Sequence, residues 1–367
     1  MSAPRPVYNF SAGPSCLPMA VLEQAQQEFL SFDNSGMSVV ELSHRSAYYS
    51  KIHKDAIANL KTLLDIPDNY KVLFVQGGAT SQFSCIPMNL MGTDKTKTAD
   101  YVITGSWSKK AYDEAVQLGY NVNIAAKTDY TRLPTAEEYT FNPEASYVHI
   151  CDNETICGVC FDELPNVPEG VPIVADMSSN ILSKPIDVSK FGMIYGGAQK
   201  NVGPSGMTIV IIREDLIQKV PGIPIYMQYH LQASKDSLYN TPCTFATYMA
   251  GLVFKWLLEH GGLPWIHAIN QQKADLIYGA IDDSEGFYRA HIAPENKNCR
   301  SIMNITFFSS DELTPIFLEE AAKEDLQTLK GHRSLGPNLR ASIYNAMPLE
   351  GVQKLVDFMN KFREQHC

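Results

Sequence analysis

The chain has 367 residues, 45% hydrophobic and 19% charged, with a formal net charge of −10. That length provides for one large domain or two ordinary ones with a substantial core. The acidic balance disfavours a nucleic-acid or anionic-membrane surface, which needs a basic face, but leaves room for a local basic pocket around a small anion.

The opening residues MSAPRPVYNFSAGPS contain no apolar stretch of signal-peptide length. Residues 207–212 (MTIVII), among the longest uncharged apolar runs, are too short to span a bilayer. A cytoplasmic protein is therefore expected, with chance sequons at Asn153 and Asn304 and reduced cysteines. Cys157 and Cys160 form a CxxC pair, but no second pair or nearby histidine completes a metal site, and no metal is expected.

From about residue 70, short apolar runs alternate with helix-length amphipathic segments. The runs at 71–75, 100–104, 121–125, 147–151, 172–175, 193–195 and 207–212 predict seven strands. Several are apolar almost throughout, as strands buried on both faces are. The alternation predicts an α/β fold with a mostly parallel sheet. Near residue 245 the pattern changes. Met249, Leu252, Val253, Trp256 and Leu257 recur at helical spacing up to Gly261-Gly262. A strand at 301–308, a helix opened by Thr314-Pro315, a strand at 339–344 and a helix carrying Val352, Leu355, Val356, Met359 and Phe362 follow. These read as a smaller α+β domain. The expected division is a large domain over 16–265 and a small one over 266–367 that takes in residues 1–15.

In a parallel α/β sheet, ligands bind beyond the carboxyl ends of the strands. Four stretches end apolar runs with ligand-type residues. QGGATSQF (76–83) offers glycines and small hydroxyls at a helix start, where free N–H groups cradle phosphate, yet it matches neither GxGxxG nor GxxxxGK[ST]. An ordinary helix cap would look the same. TGSW (104–107) places Trp107 where it could stack on a planar ring or simply pack in the core. VPIVAD ends on Asp176, and YGGAQKNVGPSG surrounds Lys200 with glycine. A carboxylate that keeps a pyridine nitrogen protonated, paired with a partly desolvated amine, suits a ring used as an electron sink; the glycines would let backbone approach that ring. A buried Asp–Lys salt bridge is the structural alternative.

These stretches, with NFSAGP, SHRS (43–46), NETICG, VADMSSN, NTPCTF and GHRSLGPNLRASIYNAM, resemble the phosphoserine aminotransferase family, within the class V pyridoxal-phosphate enzymes, over essentially the whole chain. The resemblance implies the fold type I aminotransferase architecture and pyridoxal 5'-phosphate as cofactor. It implies Lys200 as Schiff-base lysine and proton shuttle, and Asp176 as partner of the pyridinium. Trp107 would stack on the ring, Thr155 would lie by its hydroxyl, and Ala79, Thr80 and Gln199 would contact the phosphate. Asn240 and Thr241 would reach the phosphate of a neighbouring subunit, which makes a homodimer the expected active unit. Arg340 would bind the α-carboxylate, and His44 with Arg45 the distal acid group, with His332 and Arg333 nearby. In one branch of the family an arginine stands where this chain has Thr80.

The implied reaction is ping-pong transfer of the amino group of L-glutamate to 3-phosphohydroxypyruvate, giving O-phosphoserine and 2-oxoglutarate. Three rivals remain open on the residues alone. One is a serine or alanine aminotransferase. Another is a cysteine desulfurase, for which Cys299 is the thiol to test. The last is a non-catalytic phosphate-binding module on the same fold.

Overall fold

The computed structural model describes residues 5–367, so the first four residues of the segment assigned to the small domain lie outside the described residues. All seven predicted strands form, and they build one sheet. Across it the order is Tyr70–Val75, Thr208–Arg213, Met193–Gly197, Ile173–Asp176, Val148–Cys151, Thr98–Ile103 and Asn121–Lys127. Every neighbouring pair is parallel except those of Thr208–Arg213, which runs antiparallel to both flanking strands. Connection length explains the exception. Residues 198–207 are too few for the helical crossover that joins parallel strands, so the chain returns antiparallel.

The interior strands read as continuous apolar runs because both faces are covered. Leu73, Val75, Tyr101, Val174, Met193 and Val210 pack under helices Gly78–Leu90 and Ser106–Gln117. The alternate residues Val72, Phe74, Val102, Ile173, Ile194 and Ile211 join a core with helices Ala47–Leu64 and Thr244–Glu259. Those two helices cross closely, since a Cβ on Gly251 would stand 3.4 Å from Ala56 Cβ. Asn121–Lys127, at the edge, is the most exposed strand of the sheet.

Toward the C-terminus, a three-stranded antiparallel sheet runs in the order Leu339–Ser342, Asn304–Phe308, Arg289–Ala290. Helices Leu313–Lys323 and Leu349–His366 cover it, and Tyr288, Phe307, Phe317, Phe358 and Phe362 meet in its core. Tyr8–Asn9 pairs in parallel with Leu326–Gln327, and Phe10 is buried in this second core.

One long element escapes the sequence reading. After Gly261, with φ +107°, the helix Gly262–Asp282 starts at once and runs for 21 residues. Its first turns place Leu263 and Ile266 in the large-sheet core, and its later turns place Ala274, Ile277 and Ile281 in the second core. A helix shared between two cores has no single apolar stripe for a periodicity reading to find.

Candidate active site

The carboxyl ends of five strands meet around a cavity of about 290 Å³. Gly78, Ala79 and Thr80 line it from one strand end and Trp107 from the next. Thr155, Asp176, Gln199 and Lys200 line it from the others, while His332 and Arg340 close it from the side of the small sheet.

Asp176 is buried, and its Oδ1 accepts hydrogen bonds from the Ser178 N–H at 2.9 Å and the Ser178 hydroxyl at 2.6 Å. Burial pushes its carboxyl upward, while the Ser178 bonds and the Lys200 charge work to keep it ionised. Lys200 is also buried, and its Nζ donates to Thr155 Oγ1 at 2.6 Å. Desolvation pushes the amine down to about 8 against the pull of Asp176, so a useful fraction is neutral near neutral pH.

Two of the glycines near Lys200 stand close against neighbouring protein groups. A Cβ on Gly196 would press within 3.2 Å of Ser178 Cα, and one on Gly203 within 3.4 Å of the Ala250 backbone nitrogen. The N-terminal segment completes the lysine's setting. Ser15 donates from its hydroxyl to the Lys200 carbonyl at 2.7 Å and from its N–H to the Gln199 carbonyl at 3.0 Å.

At the opposite end, Gly77 (φ +99°) and Gly78 (φ +68°) swing the chain into helix Gly78–Leu90, whose N-terminus has no side-chain cap. Its first N–H groups stay free for an anion. Trp107 sits in the first turn of helix Ser106–Gln117, its Nε1 buried without a partner. Glu154 holds that turn in place, accepting from the Trp107 N–H at 2.9 Å, the Ser108 N–H at 2.8 Å and the Ser108 hydroxyl at 2.6 Å. Gly105 has no room for a Cβ because the Glu154 carboxylate lies there. The sequence reading missed Glu154 and Ser178. The Asp-x-Ser spacing of an Asx turn signals Ser178, whereas nothing local signals Glu154.

Thr155 links the amine to the guanidinium. Its hydroxyl accepts from Lys200, and its carbonyl accepts from Arg340 Nη1 at 3.1 Å. His332 Nδ1 lies 2.7 Å from Ser334 Oγ and accepts from the Ser334 N–H at 3.2 Å. Burial, then the Arg340, Lys110 and Arg333 charges, lower its tendency to protonate.

The remaining predicted residues do not line this cavity. His44 and Arg45 lie in the turn before helix Ala47–Leu64, which Ser46 caps by accepting from the Tyr49 N–H at 3.2 Å. Arg45, Arg333, Asn240 and Thr241 are exposed. The Thr241 carbonyl accepts from Gln76 Nε2 at 3.0 Å, beside the glycine turn. Cys299 is buried among Cys157, Val159 and Ile292, away from the cavity. The one cysteine that lines it, Cys151, has a thiol that burial pushes well above its ordinary range.

These groups suit a phosphorylated aromatic ring with a basic nitrogen. They supply a carboxylate for the nitrogen, uncapped N–H groups for the phosphate, an indole for one face and an amine at the side. Comparison with known proteins agrees. The family model described as aminotransferase class-V matches residues 7–355. The phosphoserine aminotransferase of Laribacter hongkongensis is 53% identical over 366 residues, covering 98% of this chain and 99% of that protein. The solved phosphoserine aminotransferase from Bacillus circulans subsp. alkalophilus is 47% identical with a TM-score of 0.94, covering 98% of this chain and 99% of that one. The pyridoxal-phosphate-bound phosphoserine aminotransferase of Trichomonas vaginalis is 43% identical with a TM-score of 0.91, covering 96% and 99%.

Proposed function

Because the chain belongs to the class V aminotransferase family, with its fold type I architecture, we propose that it transfers the amino group of L-glutamate to 3-phosphohydroxypyruvate. The products are O-phospho-L-serine and 2-oxoglutarate, and the cofactor is pyridoxal 5'-phosphate. The observation that carries this reading is the meeting of Asp176, Lys200 and Arg340 around one cavity.

When bound, the cofactor supplies an electron sink for the negative charge left at the amino acid's Cα. Asp176 would hold the proton on its ring nitrogen, and the N–H groups of Ala79 and Thr80, with Gln199, would hold its phosphate. Trp107 would cover one face of the ring, and Thr155 would stand by the ring hydroxyl. Arg340 takes the α-carboxylate through charge-assisted hydrogen bonds. Arg340 and Lys200 both bond Thr155, so the Cα of a substrate held by Arg340 would lie close to the amine. Lys200 Nζ then removes the Cα proton of glutamate in the first half-reaction and returns a proton to the Cα of phosphohydroxypyruvate in the second.

Only one guanidinium lines the cavity of a single chain, whereas both substrates carry a second acidic group. A homodimer would supply the rest, with His44 and Arg45 meeting the distal acid near His332 and Arg333, and Asn240 and Thr241 reaching the partner's phosphate. The stretch just before His44 exposes Phe29, Leu30, Met37 and Val40, with Leu30 80% accessible, as an apolar surface awaiting a partner does. We also divide the chain near residue 265 and place it in the cytoplasm, consistent with eight free cysteines. No described helix is long and apolar enough to cross a membrane.

The test is a half-reaction assay following cofactor absorbance as single amino acids are added. Phosphoserine and glutamate are expected to convert the cofactor quickly, alanine and serine slowly. Fast conversion by alanine, or sulfur release from free cysteine, with no response to phosphoserine would refute the assignment.

A further inference from the structure

Helix Gly262–Asp282, shared between the two cores, buries two polar side chains that the proposed chemistry does not use. Asn270 and Lys273 are both 0% exposed, and neither lines the cavity. Lys273 Nζ donates to three backbone carbonyls, those of Ile343 and Tyr344 at 2.9 Å and that of Met347 at 3.1 Å. Three acceptors use all three N–H groups of an ammonium. The turn they hold follows directly on strand Leu339–Ser342, which carries Arg340. The same turn reaches the cavity wall, because the Tyr344 hydroxyl donates to the carbonyl of Ala12 at 2.8 Å.

From inside that turn, Asn345 crosses to the large-sheet side. Its backbone N–H donates to Asn201 Oδ1 at 2.9 Å, and Asn201 is the residue after Lys200. Asn201 is fixed in turn by donating from Nδ2 to the Ile181 carbonyl at 2.9 Å. The Asn345 side chain donates to the Leu182 carbonyl at 2.8 Å and accepts from Asn270 Nδ2 at 2.8 Å. Asn270 Nδ2 also donates to the Ser183 carbonyl at 3.1 Å. Asn201 and Asn345 are buried as well, so breaking any of these bonds leaves a polar group unpaired away from water.

A fixed separation between guanidinium and amine is what the chemistry demands. In every amino acid the α-carboxylate carbon is bonded to Cα, so the group that binds the first and the group that deprotonates the second must keep one spacing. We propose that Asn201, Asn345 and Lys273 are positioning residues that hold strand Leu339–Ser342, and with it Arg340, in register with the turn that carries Lys200. This rests on the assignment of Arg340 to the α-carboxylate and of Lys200 to the Cα proton.

The test measures the dissociation constants of phosphoserine, glutamate and alanine in single-turnover half-reactions of the holoenzyme. Asn201→Leu removes the acceptor for the Asn345 N–H at nearly constant volume. It is expected to weaken all three amino acids about tenfold, because all present the same α-carboxylate. Asn345→Ala, which deletes the bonds to Leu182 and Asn270 without pressing a new group on the turn, should give the same uniform loss, and so should Lys273→Met. In an Arg340→Ala background, Asn201→Leu and Asn345→Ala should cost almost nothing further, since the group they position is gone. Unchanged affinities in both single variants would overturn the proposal, whatever their melting temperatures. So would a loss confined to phosphoserine, or a full further tenfold loss in the Arg340→Ala background. If Arg340→Ala itself binds all three amino acids as tightly as the wild type, the underlying assignment of Arg340 is wrong instead.

Discussion

The two ends of the cavity are built in different ways. At the cofactor end, Asp176, Lys200 and Thr155 are buried, tied to strand ends and held by partners within the same chain. At the outer end, Arg45 is exposed on a turn and Arg333 on a short 3-10 helix, and neither lines this cavity. The first arrangement can fix proton transfer with sub-ångström demands, because packed strands cannot shift independently. The second lets loops and assembly choose the substrate without disturbing that chemistry.

The strongest test of the contrast is Lys200→Ala. Loss of the proton-moving amine should cut kcat by roughly 10⁴-fold, with the fold intact because a buried charge has been removed rather than a packing group. Circular dichroism with steady-state kinetics checks both, and a variant within tenfold of wild-type kcat would break the assignment. Arg340→Ala comes next. It should weaken every amino acid by roughly a hundredfold, since all share the α-carboxylate. A loss confined to phosphoserine would move Arg340 to the outer end.

Arg45→Ala should weaken phosphoserine and glutamate about ten- to hundredfold and alanine hardly at all. Mixing Arg45→Ala with Lys200→Ala subunits sharpens this result. If Arg45 acts across a dimer, mixed dimers hold one site that lacks both groups and one that is whole, so activity returns. No recovery on mixing would place Arg45 within its own subunit's site.

The smallest expected effect is a pH dependence. The amine of Lys200 sits at about 8, below its ordinary value near 10.5. Between those two values the unfolded chain holds more protons than the folded one, so burial of Lys200 costs stability below pH 8 and that cost fades as pH rises. Pyridoxal phosphate reacts with the neutral amine, so its capture by cofactor-free protein should quicken about tenfold per pH unit up to about pH 8, then level off. A flat rate between pH 6 and 8 would show an amine already neutral.

Much of the cofactor end was legible in the chain itself. The seven strands, the glycine turn at 77–78, Asp176 and Lys200 each declare themselves through a few neighbouring residues, because strand burial, turn geometry and nucleophile setting are short-range properties. The outer end was legible only as residue types, three arginines and two histidines. Their roles depend on which surfaces meet.

Tertiary structure alone decided the rest, wherever the partner is remote in sequence. Glu154 anchors a helix start 47 residues earlier, and Ser15 fixes the carbonyl of Lys200 across 185 residues. The glycines at 196 and 203 stand against Ser178 and Ala250, which only the folded sheet and helix bring near. Helix Gly262–Asp282 is the largest such case. Its apolar residues divide between two cores, so no window of sequence shows one buried face, and packing rather than periodicity determines that it forms.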